Sequence, residues 1–325
     1  MNVSSPQPGT RELDDYLQSR RTRIEAALEG ILPAAPGSPL LIADAMRYSL
    51  FAGGKRLRPI LTLAAAEAVA SDGMNTDGLA LPAACAVEMI HTYSLIHDDL
   101  PAMDDDTLRR GRPTSHVAYG EGIAILAGDG LLTEAFGVLA RLPATDDPEL
   151  NSRKLRTAER VAAAAGIVGM VGGQTIDLQA VGQPTHPKPS AARVPPQTPL
   201  DHASLRAMHA QKTGALIRAA AVAGAIMAGG ADAEVDAVDT YASHLGLAFQ
   251  IVDDLLDIEG SAVELGKTAG KDAAARKPTY PSIFGIPESR GLAAESIATA
   301  KATLERAALG GHLGAIADWV LSRTH

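Results

Sequence analysis

Two acidic clusters carry the densest chemical signal in this 325-residue chain. In HTYSLIHDDLPAMDDDTLRRGRPT, Asp98 and Asp99 are followed by Asp104, Asp105 and Asp106, and then by Arg109, Arg110 and Arg112. Carboxylates crowded in this way repel one another at neutral pH. Pro101 ends or kinks the apolar helix expected before them, which leaves Asp98 and Asp99 near a helix C-terminus whose dipole also disfavours negative charge. Such a site calls for something positive. Hard oxygen ligands select magnesium, calcium or manganese, and magnesium characteristically uses one or two carboxylates, retained waters and phosphate oxygens. A solvated acidic turn is the plain alternative, and it loses ground once the second cluster, GLAFQIVDDLLDIEG, is considered. There Asp253 and Asp257 stand four residues apart on one helical face, with Gln250 three residues before Asp253. Leu245, Ala248, Val252 and Leu256 anchor that helix, so its acidic stripe is free to face an interior cavity.

Cationic groups gather at three other places: Gly53-Gly54-Lys55-Arg56-Leu57-Arg58, Lys212-Thr213-Gly214, and the run holding Lys267, Lys271 and Lys277. Lys55 and Arg58 follow a glycine turn into a helix, so two charges and free backbone N–H groups can face one phosphate. The P-loop spacing is absent. Scattered solvated lysines do not explain why acidic and basic pairs alternate through an acidic protein. Two anionic phosphate esters do, one held through bridging metals and the other by Arg and Lys. With helices lined by Ala, Leu, Ile and Val between these sites, the ligand class is a lipid diphosphate.

The elements that must position these groups are helical. Residues 12 to 30 and then LIADAMRYSLFAGG read as amphipathic helices, and further helices of about 15 to 25 residues recur without βαβ alternation or internal repeat. Alanine dominates an apolar fraction of 46%, with only four Phe, six Tyr and one Trp, which favours helices packed through small side chains. An all-α bundle around a deep cavity, a single domain over residues 1–325, is the expected fold. The Pro-rich stretch from about 181 to 201 can be neither helix nor central strand and reads as a loop insertion. A formal net charge of −9 argues against nucleic acid as a partner. The lone Cys85 excludes an internal disulfide and a thiolate zinc site. No signal-like start is present, nor any window of about 18 consecutive apolar, charge-free residues, so a cytoplasmic protein without an integral membrane segment is expected.

The blocks FAGGKRLRP, HTYSLIHDDLPAMDDDTLRRGRPT, AGDGLL, MVGGQTIDL, QKTGALIRAA, GLAFQIVDDLLDIEG and LGKTAGKD, in that order over residues 40 to 285, resemble the trans-isoprenyl diphosphate synthase (polyprenyl synthetase) family, nearest to its bacterial farnesyl diphosphate synthases. The resemblance implies three magnesium ions, with manganese as a substitute, held between facing aspartate segments: two by Asp98, Asp99 and Asp104, the third by Asp253 with Asp254 and Asp257. It implies that Arg109, Lys212, Thr213, Gln250 and Lys267 hold an allylic diphosphate, and that Lys55, Arg58, His91 and Arg110, beside the Gly54 turn, hold isopentenyl diphosphate. Lys277 matches a family lysine near the same mouth, though Pro278 follows it where relatives carry a small hydroxyl residue. The implied chemistry is ionisation of the allylic ester, attack by the isopentenyl double bond and proton loss, in a homodimer.

Tyr93 lies five residues before Asp98, about 7.5 Å up the same helix, where a ring can floor the cavity. With Ser94 it is the candidate for setting chain length. An aromatic there accompanies the fifteen-carbon product in the resembling family, which favours farnesyl over geranylgeranyl diphosphate. The plain alternative is a core ring. A metal-dependent phosphohydrolase built on His91, His97 and Asp98 would leave the second aspartate cluster without a role. A non-catalytic prenyltransferase-like subunit would tolerate decay of motifs that are all present here. His97 reads equally as a packing residue, and Arg323, although basic and near the C-terminus, is left outside the expected site.

Overall fold

A computed structural model describes residues 8–33, 36–181, 202–259 and 279–323. The described chain is all-α apart from one two-stranded ribbon, as the alanine-rich, aromatic-poor composition requires. Helices α1 (Pro8–Ile31), α2 (Leu40–Leu50), α3 (Leu57–Val69) and α4 (Thr76–Asp98) lead into the ribbon β1 (Leu108–Arg109) and β2 (Arg112–Pro113). There follow α5 (Ser115–Tyr119), α6 (Glu121–Arg141), α7 (Pro148–Ala165), α8 (Met170–Val181) and α9 (His202–His209). A π-helical turn, Ala210–Gly214, joins α9 to α10 (Ala215–Met227), and α11 (Asp232–Glu259), α12 (Tyr280–Phe284), α13 (Ile286–Arg306) and α14 (Leu313–Ser322) complete the chain.

Helix α4 is the central post. The run Ala83-Ala84-Cys85-Ala86-Val87 is buried without a break, and small side chains let α3, α6 and α10 all pack on it. Its start is fixed by Asn75, whose side-chain oxygen accepts the Gly78 N–H at 3.0 Å. Helix α10 is as alanine-rich and as fully buried, from Ala219 to Met227. These helices, with α1, α2, α6, α11, α13 and α14, enclose one large core. A smaller satellite cluster, including Leu205, Met208, Ile251, Leu255 and Tyr280, lies where α9, α11, α12 and α13 meet.

Local structure departs from the simple helical reading in three places. Helix α2 stops at Leu50 instead of running to the glycines, and Gly53, Gly54 and Arg56 all adopt positive φ before α3 begins. The ribbon was not anticipated. Its two-residue turn, Arg110-Gly111, has φ of 52° and 73°, the paired positive values of a type I′ hairpin. A π turn at Ala210–Gly214 interrupts the helical run from α9 into α10.

Three helical stretches, Thr76–Asp98, Glu121–Arg141 and Pro148–Ala180, have the length and apolar composition of a membrane span. In α4 that composition is spent on the core. The other two stretches are less than half buried. Ile125, Leu126, Leu155, Ile167 and Val168 stand exposed along α6, α7 and the turn after α7, Ile167 at 83%. Lys267, Lys271, Lys277 and the Pro-rich stretch fall outside the described residues.

Candidate active site

The first acidic wall is built at the end of α4. Asp98 is its last residue and Asp99 its C-cap. The chain then folds back so that the Asp104 N–H donates to the Asp98 carbonyl at 2.8 Å and the Asp106 N–H to the Asp99 carbonyl at 3.1 Å. The ribbon returns Arg109 over this loop, where its Nε donates to both Asp99 carboxylate oxygens at 2.9 Å and Nη2 to Oδ1 at 2.6 Å. Asp99 is only 3% exposed, so this bidentate pair satisfies a charge that would otherwise be costly to bury. Asp98, by contrast, has no hydrogen-bond or ion-pair partner for its side chain among the described residues. Burial raises its carboxyl to about 6; Lys212 pulls it down, and Asp104 and Asp99 push it further up.

Asp98 opens onto a cavity of about 350 Å³ shared with Arg58, His91, Lys212 and Thr213. Tyr93 and Ser94 line the same cavity from α4, and Tyr93 meets the His97 ring edge-on at 5.6 Å between centroids. His97 itself packs over Gly128 and faces the Ile125 carbonyl at 3.0 Å, which fixes α4 to α6. The opposite wall brings two residues without an assigned role in the sequence reading, Gln174 and Asp177 of α8. The Lys212 ammonium pairs with Asp177, and the Gln174 carboxamide lines the cavity with neither of its polar atoms bonded to any described residue. Helix α8 approaches the π turn so closely that only Gly173 fits: a Cβ there would overlap the Lys212 backbone nitrogen. The motif MVGGQTIDL carried this signal in its paired glycines.

The second wall is α11. Along its face Gln250, Asp253, Asp254 and Asp257 follow one another at helical i,i+3 and i,i+4 spacing, and each meets its own partners. Gln250 Nε2 donates to Asp254 Oδ1 at 2.8 Å, and the Tyr280 N–H donates to Asp254 Oδ2 at 2.9 Å. Asp254 and Asp257 are buried, at 4% and 7% exposure. Asp253 instead meets Arg323, whose Nη2 lies 2.7 Å from Oδ1. Arg323 also donates to the Phe249 carbonyl at 2.7 Å and lies over the Phe249 ring. Arg323, left outside the expected site on its sequence position, thus stands against the second acidic wall.

The cationic corner lies beside this wall. Lys55 sits over the Trp319 ring, and burial, together with Arg323, lowers its pKa while Asp253 opposes the shift. Arg58 and His91 lie 3.3 Å apart, and burial followed by the neighbouring arginines holds His91 neutral, well below the ordinary histidine range. Arg110 donates to the Gly53 carbonyl and lies flat against Gly54, where a Cβ would come within 2.6 Å of its guanidinium. Between Lys55 and Arg58, Arg56 turns inward and pairs with Glu88 of α4 at 2.7 Å, both nearly fully buried. That buried pair, absent from the sequence reading, pins the loop that carries the two outward cations.

The structure therefore gathers Asp98, Arg58, His91, Lys212, Thr213, Tyr93 and Ser94 around one cavity and sets Asp253, Arg323 and Lys55 beside Arg58. It pairs Asp99 with Arg109 and Gln250 with Asp254. Among the described residues, no three His, Cys, Asp or Glu side chains converge into a cation cage. The donor chemistry still fits a hard divalent ion, because an unpartnered, desolvated carboxylate at Asp98 with Asp104 beside it supplies oxygen ligands in the small number magnesium takes from protein.

Fold and site together define a class: an all-α protein whose central cavity sets an acidic wall against a cationic corner over an apolar interior. The polyprenyl synthetase family profile matches residues 39–308. The farnesyl diphosphate synthase of Geobacillus stearothermophilus is 42% identical over 316 residues, covering 96% of this chain and 98% of that one. The large subunit 1 of a heterodimeric chloroplast geranylgeranyl pyrophosphate synthase from Arabidopsis thaliana is 44% identical over 292 residues, covering 90% of this chain and 74% of its own. Among solved structures, an FPP/GFPP synthase from Zymomonas mobilis, in its apo form, superposes with a TM-score of 0.78 at 33% identity, over 96% of this chain and 99% of that one. The chain belongs to the polyprenyl synthetase family and is a prenyltransferase.

Proposed function

We propose that this chain condenses isopentenyl diphosphate head-to-tail with dimethylallyl and geranyl diphosphates and that farnesyl diphosphate is its main product. The observation that carries the product length is Tyr93, 7% exposed and braced edge-on by His97, on the cavity wall below Asp98. A buried ring braced by His97 on the cavity wall takes up the space that a further isoprene unit would need.

Asp98, Asp99 and Asp104, with Asp253, Asp254 and Asp257 of the second wall, are the groups that would hold magnesium. When bound, the metal supplies charge stabilisation for a departing diphosphate. Lys212 and Thr213 orient the allylic ester and donate to its phosphate oxygens as the carbon–oxygen bond lengthens. Arg109 reaches the same oxygens with its remaining N–H groups while Asp99 holds it in place. Lys55, Arg58 and Arg110 bind the second diphosphate, and neutral His91 donates or accepts without adding charge to a corner already crowded with arginine. The apolar helices exclude water from the allylic cation. Lys267 and Lys277 keep the roles the resemblance implies.

We assign the exposed apolar faces of α6 and α7 to a second copy of the chain; the relative named as a large subunit shows that assembly within the family also takes a heterodimeric form. The unpaired, buried Cys85 is in keeping with a cytoplasmic protein.

The test supplies magnesium, isopentenyl diphosphate and each of the five-, ten- and fifteen-carbon allylic partners, then identifies the prenyl alcohols after dephosphorylation. The fifteen-carbon alcohol is expected from the first two partners, with little elongation of the third. A dominant twenty-carbon alcohol would replace this reading with geranylgeranyl synthesis. Tyr93→Ala is expected to shift wild-type output towards longer products. Light scattering is expected to give a dimer mass, and Ile167→Asp to give the monomer.

A further inference from the structure

The satellite core between α9, α11, α12 and α13 does not close. It holds a cavity of about 470 Å³ that shares no lining residue with the one containing Asp98. Leu247, Ile251 and Leu292 form its apolar wall. Aromatic rings, scarce in this chain, collect at one end: Tyr280 and Phe284 stack at 5.9 Å, and His202 lies 4.3 Å from Phe284. The cavity thus combines an apolar body with a ring-lined end, a size and lining suited to a small amphiphile.

Two polar groups there have no visible employment. Arg206, on the exposed side of α9, makes no hydrogen bond or ion pair with any described residue, although it lines the cavity. Tyr280 is 3% exposed and its hydroxyl has no partner among the described residues. His202 and His244 add protonatable nitrogens to the same rim, where Glu295 is the sole carboxylate among the lining residues. His244 is held to Ser296 at 3.4 Å, leaving Arg206 as the permanent positive charge at the mouth, with Glu295 the one lining group of opposite sign.

We propose that this cavity is a second ligand site, distinct from the catalytic one, for an amphiphile with a hydrocarbon body and a single anionic head of the phosphate type, the head on Arg206 and the body against Leu247, Ile251 and Phe284. The site borders the second acidic wall. Tyr280, which lines it, donates its N–H to Asp254, and α9 runs directly into the turn that carries Lys212. A bound amphiphile therefore rests on the backs of elements that hold catalytic groups.

Calorimetric titration of the full chain in EDTA, below micelle concentrations, tests this apart from any turnover. The probes are dodecyl phosphate, farnesyl monophosphate and dodecyltrimethylammonium. Both phosphates, or either one, are expected to bind at least about tenfold more tightly than the cation, and the tighter of the two identifies a straight or a branched source. Arg206→Glu is expected to abolish that preference for the anion. Ala203→Trp, at an exposed rim position, is expected to abolish binding by filling the mouth, with the circular dichroism spectrum unchanged. Equal affinity for anion and cation, or phosphate binding undiminished in both variants, would overturn the proposal.

Discussion

The two acidic walls carry similar residues in opposite electrostatic conditions. On α11 two of the carboxylates are already answered by the chain: Asp253 by Arg323, and Asp254 by Gln250 and the Tyr280 N–H. At the end of α4 the answer is partial, since Arg109 takes Asp99 and leaves Asp98 desolvated and unpartnered among the described residues. A wall neutralised from within is pre-organised and keeps its shape without ligand. A wall that retains a raised carboxyl stores a demand for positive charge, and its geometry is completed by what binds. The first wall is accordingly the one whose loss should matter most to chemistry, and the one whose charge should cost the protein stability.

The largest expected effect breaks the comparison at Asp98. Asp98→Asn should lower kcat by about a thousandfold or more, the scale of losing a principal charge-stabilising contact in a transition state, as measured by prenyl transfer at saturating magnesium. If activity survives, the burden lies on α11 and the contrast is reversed.

The buried pair beneath the cationic corner gives the next effect. Glu88→Ala leaves the Arg56 guanidinium charged at 3% exposure, with Glu25 at 3.6 Å as its remaining carboxylate neighbour. Breaking a buried ion pair from one side costs about 3–5 kcal/mol, so the denaturation midpoint should fall steeply. A change under 1 kcal/mol would mean that the Leu50 carbonyl, which accepts from Arg56 at 2.6 Å, and Glu25 suffice. Replacing the neutraliser of the second wall should cost less. Arg323→Met retains bulk over Phe249 but frees Asp253, and is expected to raise KM for isopentenyl diphosphate about ten- to thirtyfold, with a smaller change in kcat. The reverse pattern, an intact KM with a depressed kcat, would place Arg323 at the allylic ester.

How much of this could be read before the fold was known divides along the same line. The helical class followed from alanine content and from recurring amphipathic stretches, and the family followed from seven ordered motifs. What sequence spacing supplied less well was partnership. Helical periodicity placed Gln250 on the face of Asp253, and within that face its hydrogen bond goes to Asp254, four residues on, which spacing alone does not choose. Arg323 and Asp253 are seventy positions apart, and Arg56 and Glu88 thirty-two; no local rule connects them. The ribbon that delivers Arg109 onto Asp99 is only two residues per strand, too short to leave an alternating pattern, and its Arg-Gly turn was the sole trace. Gly173 was visible as a glycine pair, but only the approach of α8 to the π turn explains it.

The smallest effect is also the sharpest test of the contrast, because it has the opposite sign. In the folded chain Asp98 has a carboxyl raised to about 6 from an ordinary value of 3.8, mainly by burial. A raised carboxyl means that the folded state binds its proton more tightly than the unfolded chain does. Below pH 3.8 both states hold the proton and the group is neutral to stability; as pH climbs from there to about 6 the folded state pays for ionising it, and above 6 the penalty is constant. Asp98→Asn removes that penalty. In EDTA, the variant that has lost activity should therefore be more stable than the parent at pH 8, by about 1–2 kcal/mol once water at the cavity mouth is allowed for, and equal to it only well below pH 3.8, where both states hold the proton. Asp253→Asn should show no such gain, because the ion pair to Arg323 is lost with the charge. Magnesium and a thiolated allylic analogue should then stabilise the parent above the Asp98→Asn variant at pH 8, by ligation that only the carboxylate provides. A variant no more stable than the parent in EDTA would show that Asp98 has found a cation within the chain, and the two walls would then differ in sequence position alone.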